Sequence, residues 1–131
     1  MSTLKVNRIE PRTGDTVEIV GLESTESPVK AWVNFNGTGT VAIRESMNIS
    51  SITDVDVGTY HVNFETDMPD VNFVGHVTAG KVGGAASSSN STMCFATEST
   101  GHRTNRYFID ITDSTGSRKV DRDWVNVSII R

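Results

Sequence analysis

Apolar residues in this chain recur at every second position, and at no stretch do they recur with the spacing of a helix. Ala31, Val33 and Phe35 alternate with Trp32, Asn34 and Asn36. Tyr60, Val62 and Phe64 alternate with His61, Asn63 and Glu65. Tyr107, Ile109 and Ile111 are set against Phe108, Asp110 and Thr112, and Val125, Val127 and Ile129 close the series. Successive side chains of a strand point to opposite faces, so a period of two marks a strand with one face buried. Composition agrees. There are 16 Val, 9 Ile and 16 Thr against 2 Leu and 6 Ala. β-Branched side chains suit a pleated surface, whereas helices favour Leu and Ala. The chain is therefore predicted to be all-β.

Turn signals divide the strands. Asn36-Gly37 ends the first, and the φ > 0 positions of a tight hairpin are assigned to this pair. Val41 and Ile43 resume after it. Residues 67–70, Asp-Met-Pro-Asp, read as a turn, because proline cannot donate to a ladder. A further strand runs from Val71 to Val77, and residues 93–97 form another. Residues 80–92 are a Gly/Ser-rich loop and 114–123 a second loop. Short strands at this spacing imply a sandwich or barrel. With 131 residues, one such domain buries a sufficient core without disulfides. We assign residues 28–131 to an antiparallel β-sandwich head.

Residues 1–27 differ. Leu4, Val6 and Ile9, then Val17 and Ile19, flank a turn at Pro11–Asp15, which gives a short β-ribbon. It has no aromatic residue and too little apolar surface for its own core, and a lone hairpin is marginal in water. These five apolar residues are therefore expected to dock on other subunits or on a partner. Residues 23–28 read as a linker.

The formal net charge is −4, with acids and bases interspersed. No basic run follows a phosphate backbone, so nucleic acid is not an expected partner. No stretch approaches the ~20 apolar residues of a membrane span, and the first residues lack a signal-peptide pattern. The single cysteine, Cys94, cannot staple the fold, which suits synthesis in a reducing cytoplasm.

Three segments carry a resemblance: "KAWVNFNGTGTVAIRESMNISSITD", "GTYHVNFETDMPDVNFV" and "VNVSIIR". They resemble tail-fibre domains of tailed bacteriophages, cyanophages included, and "STLKVNRIEPRTGDTVEI" resembles the opening of phage fibre and tail-adaptor chains. The resemblance implies a homotrimeric structural virion protein. Its N-terminus would dock on tail or baseplate proteins, and its distal end would face a host polysaccharide or protein receptor. It implies no enzymatic activity and no cofactor. The alternative is a virion component without a receptor role, such as a fibre adaptor or capsid decoration protein. A depolymerase would need a long β-helix, for which this chain is too short. A cellular carbohydrate-binding module does not account for the N-terminal ribbon.

Reactive candidates are sparse. His61, His76 and His102 lie far apart without ligand spacing, and surface strand histidines are the plainer reading. Only a trimer axis would gather three copies of one His around a metal. Cys94, between Met93 and Phe95, reads as a small buried residue rather than a nucleophile. Asp54/Asp56 and Asp121/Asp123 read as solvated loop acids rather than a glycosidase pair. Gly37-Thr38-Gly39 lacks the Lys-Ser/Thr and helix of a phosphate loop. Asn36, Asn48, Asn90 and Asn126 fit the glycosylation sequon, idle in a phage protein. Trp32 and Trp124 are sugar-stacking candidates, although packing in a core or between subunits is the favoured reading. The expected distal contact surface is residues 80–106, with Arg103, Asn105 and Arg106 foremost and Ser87, Ser88, Ser89 and Asn90 supporting. Arginine offers a planar fork for carboxylate or phosphate.

Overall fold

The computed structural model describes residues 27–81, 92–96 and 103–131. Among the described residues eight strands form: β1 (Val29–Asn36), β2 (Ala42–Met47), β3 (Ile49–Asp56), β4 (Thr59–Phe64), β5 (Val74–Gly80), β6 (Thr92–Ala96), β7 (Arg106–Asp113) and β8 (Trp124–Ile130). They make two four-stranded antiparallel sheets, β2-β1-β8-β5 and β3-β4-β7-β6, packed face to face. The all-β sandwich expected from the period-two pattern is what the chain forms. Of the ribbon and linker assigned to residues 1–27, residues 1–26, with Leu4, Val6, Ile9, Val17 and Ile19, lie outside the described residues.

The core is made of the inward residues the alternation picks out. Ala31, Val33 and Phe35 of β1 and Val125, Val127 and Ile129 of β8 face Tyr60, Val62 and Phe64 of β4 and Tyr107, Ile109 and Ile111 of β7, all buried. Met68 and Phe73, from the connection between β4 and β5, close one side. Aromatic edges interlock across the layer: Phe35 on Tyr60 at 5.3 Å between centroids, and Phe73 on both Phe64 and Tyr107 at 6.0 Å. Such edge-to-face pairs add to the area they bury. Gly75 of β5 is an inward position opposite Ile129. A Cβ there would stand 2.2 Å from the Tyr107 ring, so the glycine is the socket that admits the ring.

A polar knot closes each end of the sandwich. At the first end the buried Tyr60 hydroxyl lies 2.8 Å from both the Gly37 carbonyl and Asp121 Oδ1. Asp121 also accepts the Gly58 amide at 2.7 Å, and the Gly37 amide donates to the Arg122 carbonyl at 2.9 Å. Burial, then the Asp121 carboxylate and the charge of Asp54, push the phenol well above its usual range, so it keeps its proton. This corrects two expectations. Asp121 is not a solvated loop acid but part of the knot. Gly37 does not supply φ > 0; Gly39, at +62°, does. Position 37 is glycine because a Cβ would meet the Tyr60 hydroxyl at 2.6 Å and the Arg122 carbonyl at 2.9 Å. Asn36 shapes the turn with its side chain, which accepts from the Thr38 amide and hydroxyl.

At the other end, Asn48 is the single residue between β2 and β3, where the chain passes from one sheet to the other. It adopts φ 55°, a left-handed conformation that asparagine tolerates. Its Nδ2 donates to the Lys30 and Thr66 carbonyls, its Oδ1 accepts the Thr66 amide, and its own carbonyl accepts the Glu65 amide. An apparent sequon is thus a corner pin.

Two substitutions separate steric from conformational demands on glycine. Gly75→Ala collides with Tyr107 and should cost ~1–3 kcal/mol by overpacking. Gly39→Ala meets no atom within 4 Å but keeps the left-handed φ, so its cost should be the ~1–2 kcal/mol of that conformation alone. Urea unfolding midpoints at constant m-value are the measurement, and G75A should be rescued in part by a smaller residue at 107 while G39A should not. At the corner, Asn48→Gly relieves φ but loses three side-chain hydrogen bonds, whereas Asn48→Ala loses both. Stability should fall in the order wild type, N48G, N48A, with N48A costing about 2–3 kcal/mol.

Candidate functional site

Arg103 and Asn105 come together. With Thr104, Asp67 and Val71 they line an open depression of about 400 Å³ beside the β4–β5 connection. The backbone beneath is fixed. The Asn105 carbonyl accepts the Phe64 amide at 3.0 Å and the Thr104 carbonyl accepts the Met68 amide at 2.8 Å. Buried Met68 and Phe73 anchor the facing segment. The depression therefore carries a guanidinium, a carboxylate and an amide on a held frame, a set that suits an ionic or polar ligand rather than an apolar one.

Arg106, grouped with these two from the sequence, stands elsewhere. It opens β7 opposite Asn63 of β4, so it belongs to the outer face of the second sheet. Its guanidinium carbon is 6.0 Å from the Phe108 ring centroid, and its Nε is buried without an acceptor among the described residues. Phe108 in turn meets His61 at 4.2 Å between centroids. The parity of strand positions could have found this: Arg106 and Phe108 share a face, and Arg103 and Asn105 precede the strand. Ser87, Ser88, Ser89, Asn90 and His102 lie outside the described residues, and so does the side chain of Cys94 on β6.

Neither tryptophan enters the core. Trp124 is 44% exposed, with the Arg44 guanidinium 4.1 Å above its ring. Trp32 is half-buried on the outer face of the first sheet, in one cross-strand row with Met47, Ser128 and His76. His76 and His61 are on outer faces as expected, on different sheets. No group of three His, Cys, Asp or Glu side chains is placed to hold a metal among the described residues.

The loop that walls the Arg103 depression is braced by an ion pair. Arg131 Nε donates to Asp70 Oδ1 at 3.0 Å, and a second bond joins the guanidinium to Oδ2. The hydrogen bonds from Arg131, then from the Asn72 amide, hold the Asp70 carboxyl below its usual range. A carboxyl lowered on folding stabilises above its unfolded value, about pH 3.9. That contribution is lost as pH falls through the lower folded value. Asp70→Asn should therefore unfold at lower urea than wild type at neutral pH, and the two midpoints should converge in acid below that value. No protein-family model, curated protein or solved structure matches the chain.

Proposed function

We propose that this chain is a structural virion protein, a tail-fibre component through which a tailed bacteriophage attaches to its host cell surface. The observation that carries the reading is where the phage-like segments fall. "KAWVNFNG" covers most of β1 and its turn, "GTYHVNFET" covers β4 and "VNVSIIR" covers most of β8. β1 and β8 are central strands of one sheet, and β4 is a central strand of the other. The resemblance thus includes central strands of both sheets, together with the turns at 37–41 and 65–73. The described core is drawn from residues 31–129, which supports a head that folds without residues 1–27 and leaves that segment for docking and trimer formation. The receptor contact is assigned to Arg103 and Asn105, whose charged and amide groups sit on a fixed backbone and fit a polar receptor; they lie on the same rim as Pro28 and Arg131, not on the opposite one, and Arg106 serves a different surface.

Light scattering of the whole chain should give three times the chain mass. Removing residues 1–27 should leave a folded all-β head that is no longer incorporated into particles. Replacing Arg103 and Asn105 by Ala should lower adsorption to host cells while the melting temperature and the oligomer mass stay near wild type. Normal adsorption by that variant, with the protein seen by electron microscopy on the capsid or at a tail joint, would favour the decoration or adaptor role.

A further inference from the structure

We propose that the outer face of the first sheet carries a binding subsite for a neutral hexopyranose, centred on Trp32 and the Asn34–Asn126 amide pair. A groove of about 280 Å³ runs over the middle of this face. Its walls are Trp32, Asn34, His76, Thr78, Asn126 and Ser128, contributed by three neighbouring strands. The walls form two cross-strand rows. Trp32, Ser128 and His76 make one row, and Asn34, Asn126 and Thr78 make the next, about 7 Å further along the strands.

The second row is ordered before any ligand arrives. Arg44 donates to Asn34 Oδ1 at 3.3 Å, Asn34 Nδ2 donates to Asn126 Oδ1 at 2.6 Å, and Asn126 Nδ2 donates to Thr78 Oγ1 at 3.3 Å. Each bond sets the direction of the next, so both amide orientations follow from the cation at the start of the chain. The row leaves the second N–H of Asn126, a second lone pair on each side-chain carbonyl and the Thr78 hydroxyl proton, while the second N–H of Asn34 is turned to the Val125 carbonyl at 3.5 Å. Donors thus alternate with acceptors across the row, which is the pattern that adjacent sugar hydroxyls, each both donor and acceptor, can satisfy. Fixing these groups in advance removes part of the ordering cost of binding.

The first row supplies the other half of sugar recognition. The Trp32 ring is a flat apolar surface held with few rotatable bonds, and the C–H face of a pyranose stacks on such a ring. Ser128 and His76 complete the row with a hydroxyl and an imidazole. Among the described residues no Asp, Glu, Lys or Arg lines the groove, and the Arg44 guanidinium at its edge is already engaged by Asn34, the Asp123 carbonyl and the Trp124 ring, so the lining favours a neutral sugar over a uronic or sialic acid. A peptide strand is a poor occupant. β1 and β8 are hydrogen-bonded on both sides, so the middle of the floor has no free ladder, and a strand added to the edge strand β5 would lie beside the groove rather than in it. The inference stands on the groove alone and does not require the virion reading.

The test is a ¹⁵N NMR titration of the full chain with methyl β-glucopyranoside, methyl β-galactopyranoside, methyl α-mannopyranoside and N-acetylglucosamine, with glucuronate for comparison. At least one neutral sugar should shift the Trp32 indole N–H saturably at millimolar concentration, and glucuronate should bind more weakly. Trp32→Ala should lose tenfold or more in affinity, about 1.4 kcal/mol. Thr78→Val keeps the shape at an exposed strand position and should lose several-fold, which decides the matter if W32A does not fold. Arg103→Ala should bind as wild type. The absence of saturable shifts with all four neutral sugars overturns the assignment. So does binding that survives W32A and T78V, or a fall in oligomer mass in W32A, which would make the face a contact between copies. Because no particle is involved, the outcome is independent of whether the chain belongs to a virion.

Discussion

A phenol buried between two sheets must find a hydrogen-bond partner, and meeting that need for Tyr60 organises one whole end of the molecule. Its ring packs on Phe35, and its hydroxyl reaches the Gly37 carbonyl and the Asp121 carboxylate. An unsatisfied buried hydroxyl costs ~1–3 kcal/mol, so each neighbour is constrained in turn. Position 37 can carry no Cβ. Asp121 must stay near enough to serve both Tyr60 and the Gly58 amide, which places the chain leading into β8. The Val57-Gly58 turn is therefore tied to the 121–122 segment, and through it to the other sheet. Asn48 does the corresponding work at the far end with an amide in place of a phenol. Between these ends the layer is held by apolar contact and by aromatic edges.

The strands and the core were legible because their cause is local. A side chain two residues along shares a face, so Ala31, Val33, Phe35, Tyr60, Val62, Phe64, Tyr107, Ile109, Ile111, Val125, Val127 and Ile129 could be assigned to the interior from spacing alone, and all are buried. What could not be read depends on partners far along the chain. Asn36-Gly37 has the composition of a two-residue hairpin, yet its glycine answers to Tyr60, 23 residues away, and the left-handed residue is Gly39. Asp121 looks like a loop acid until the phenol it serves is known. Asn48 looks like a sequon until the sheet change is seen.

The candidate site shows the same division. Arg103 and Asn105 were found by their chemistry and do share a depression, whereas Arg106 was separated from them by strand parity, a signal present in the sequence but not used. The Asn34–Asn126 pair was missed because the two residues are 92 positions apart and meet only once β1 and β8 are neighbours. Trp32 and Trp124 were both expected to pack. A large aromatic at an outward position of a strand can pack only against something outside the sandwich, and parity with buried Val33 and Val125 already placed them there.

β1 and β8 lie antiparallel at the centre of one sheet, with the Arg131 amide bonded to the Pro28 carbonyl, so residues 28 and 131 sit side by side. This arrangement gives the sandwich a directional response to force. A pull that separates those two positions would peel β1 from β8 one bond at a time. A pull entering at residue 28 and resisted by something held on a face or at the opposite rim runs along β1. It then meets the ladders to β2 and β8 together, since β1 is bonded on both sides. Loaded in shear, these bonds share the strain and fail only as a group. The sandwich is therefore more resistant to tension that enters at residue 28 and is opposed across its own body than to tension that separates residues 28 and 131.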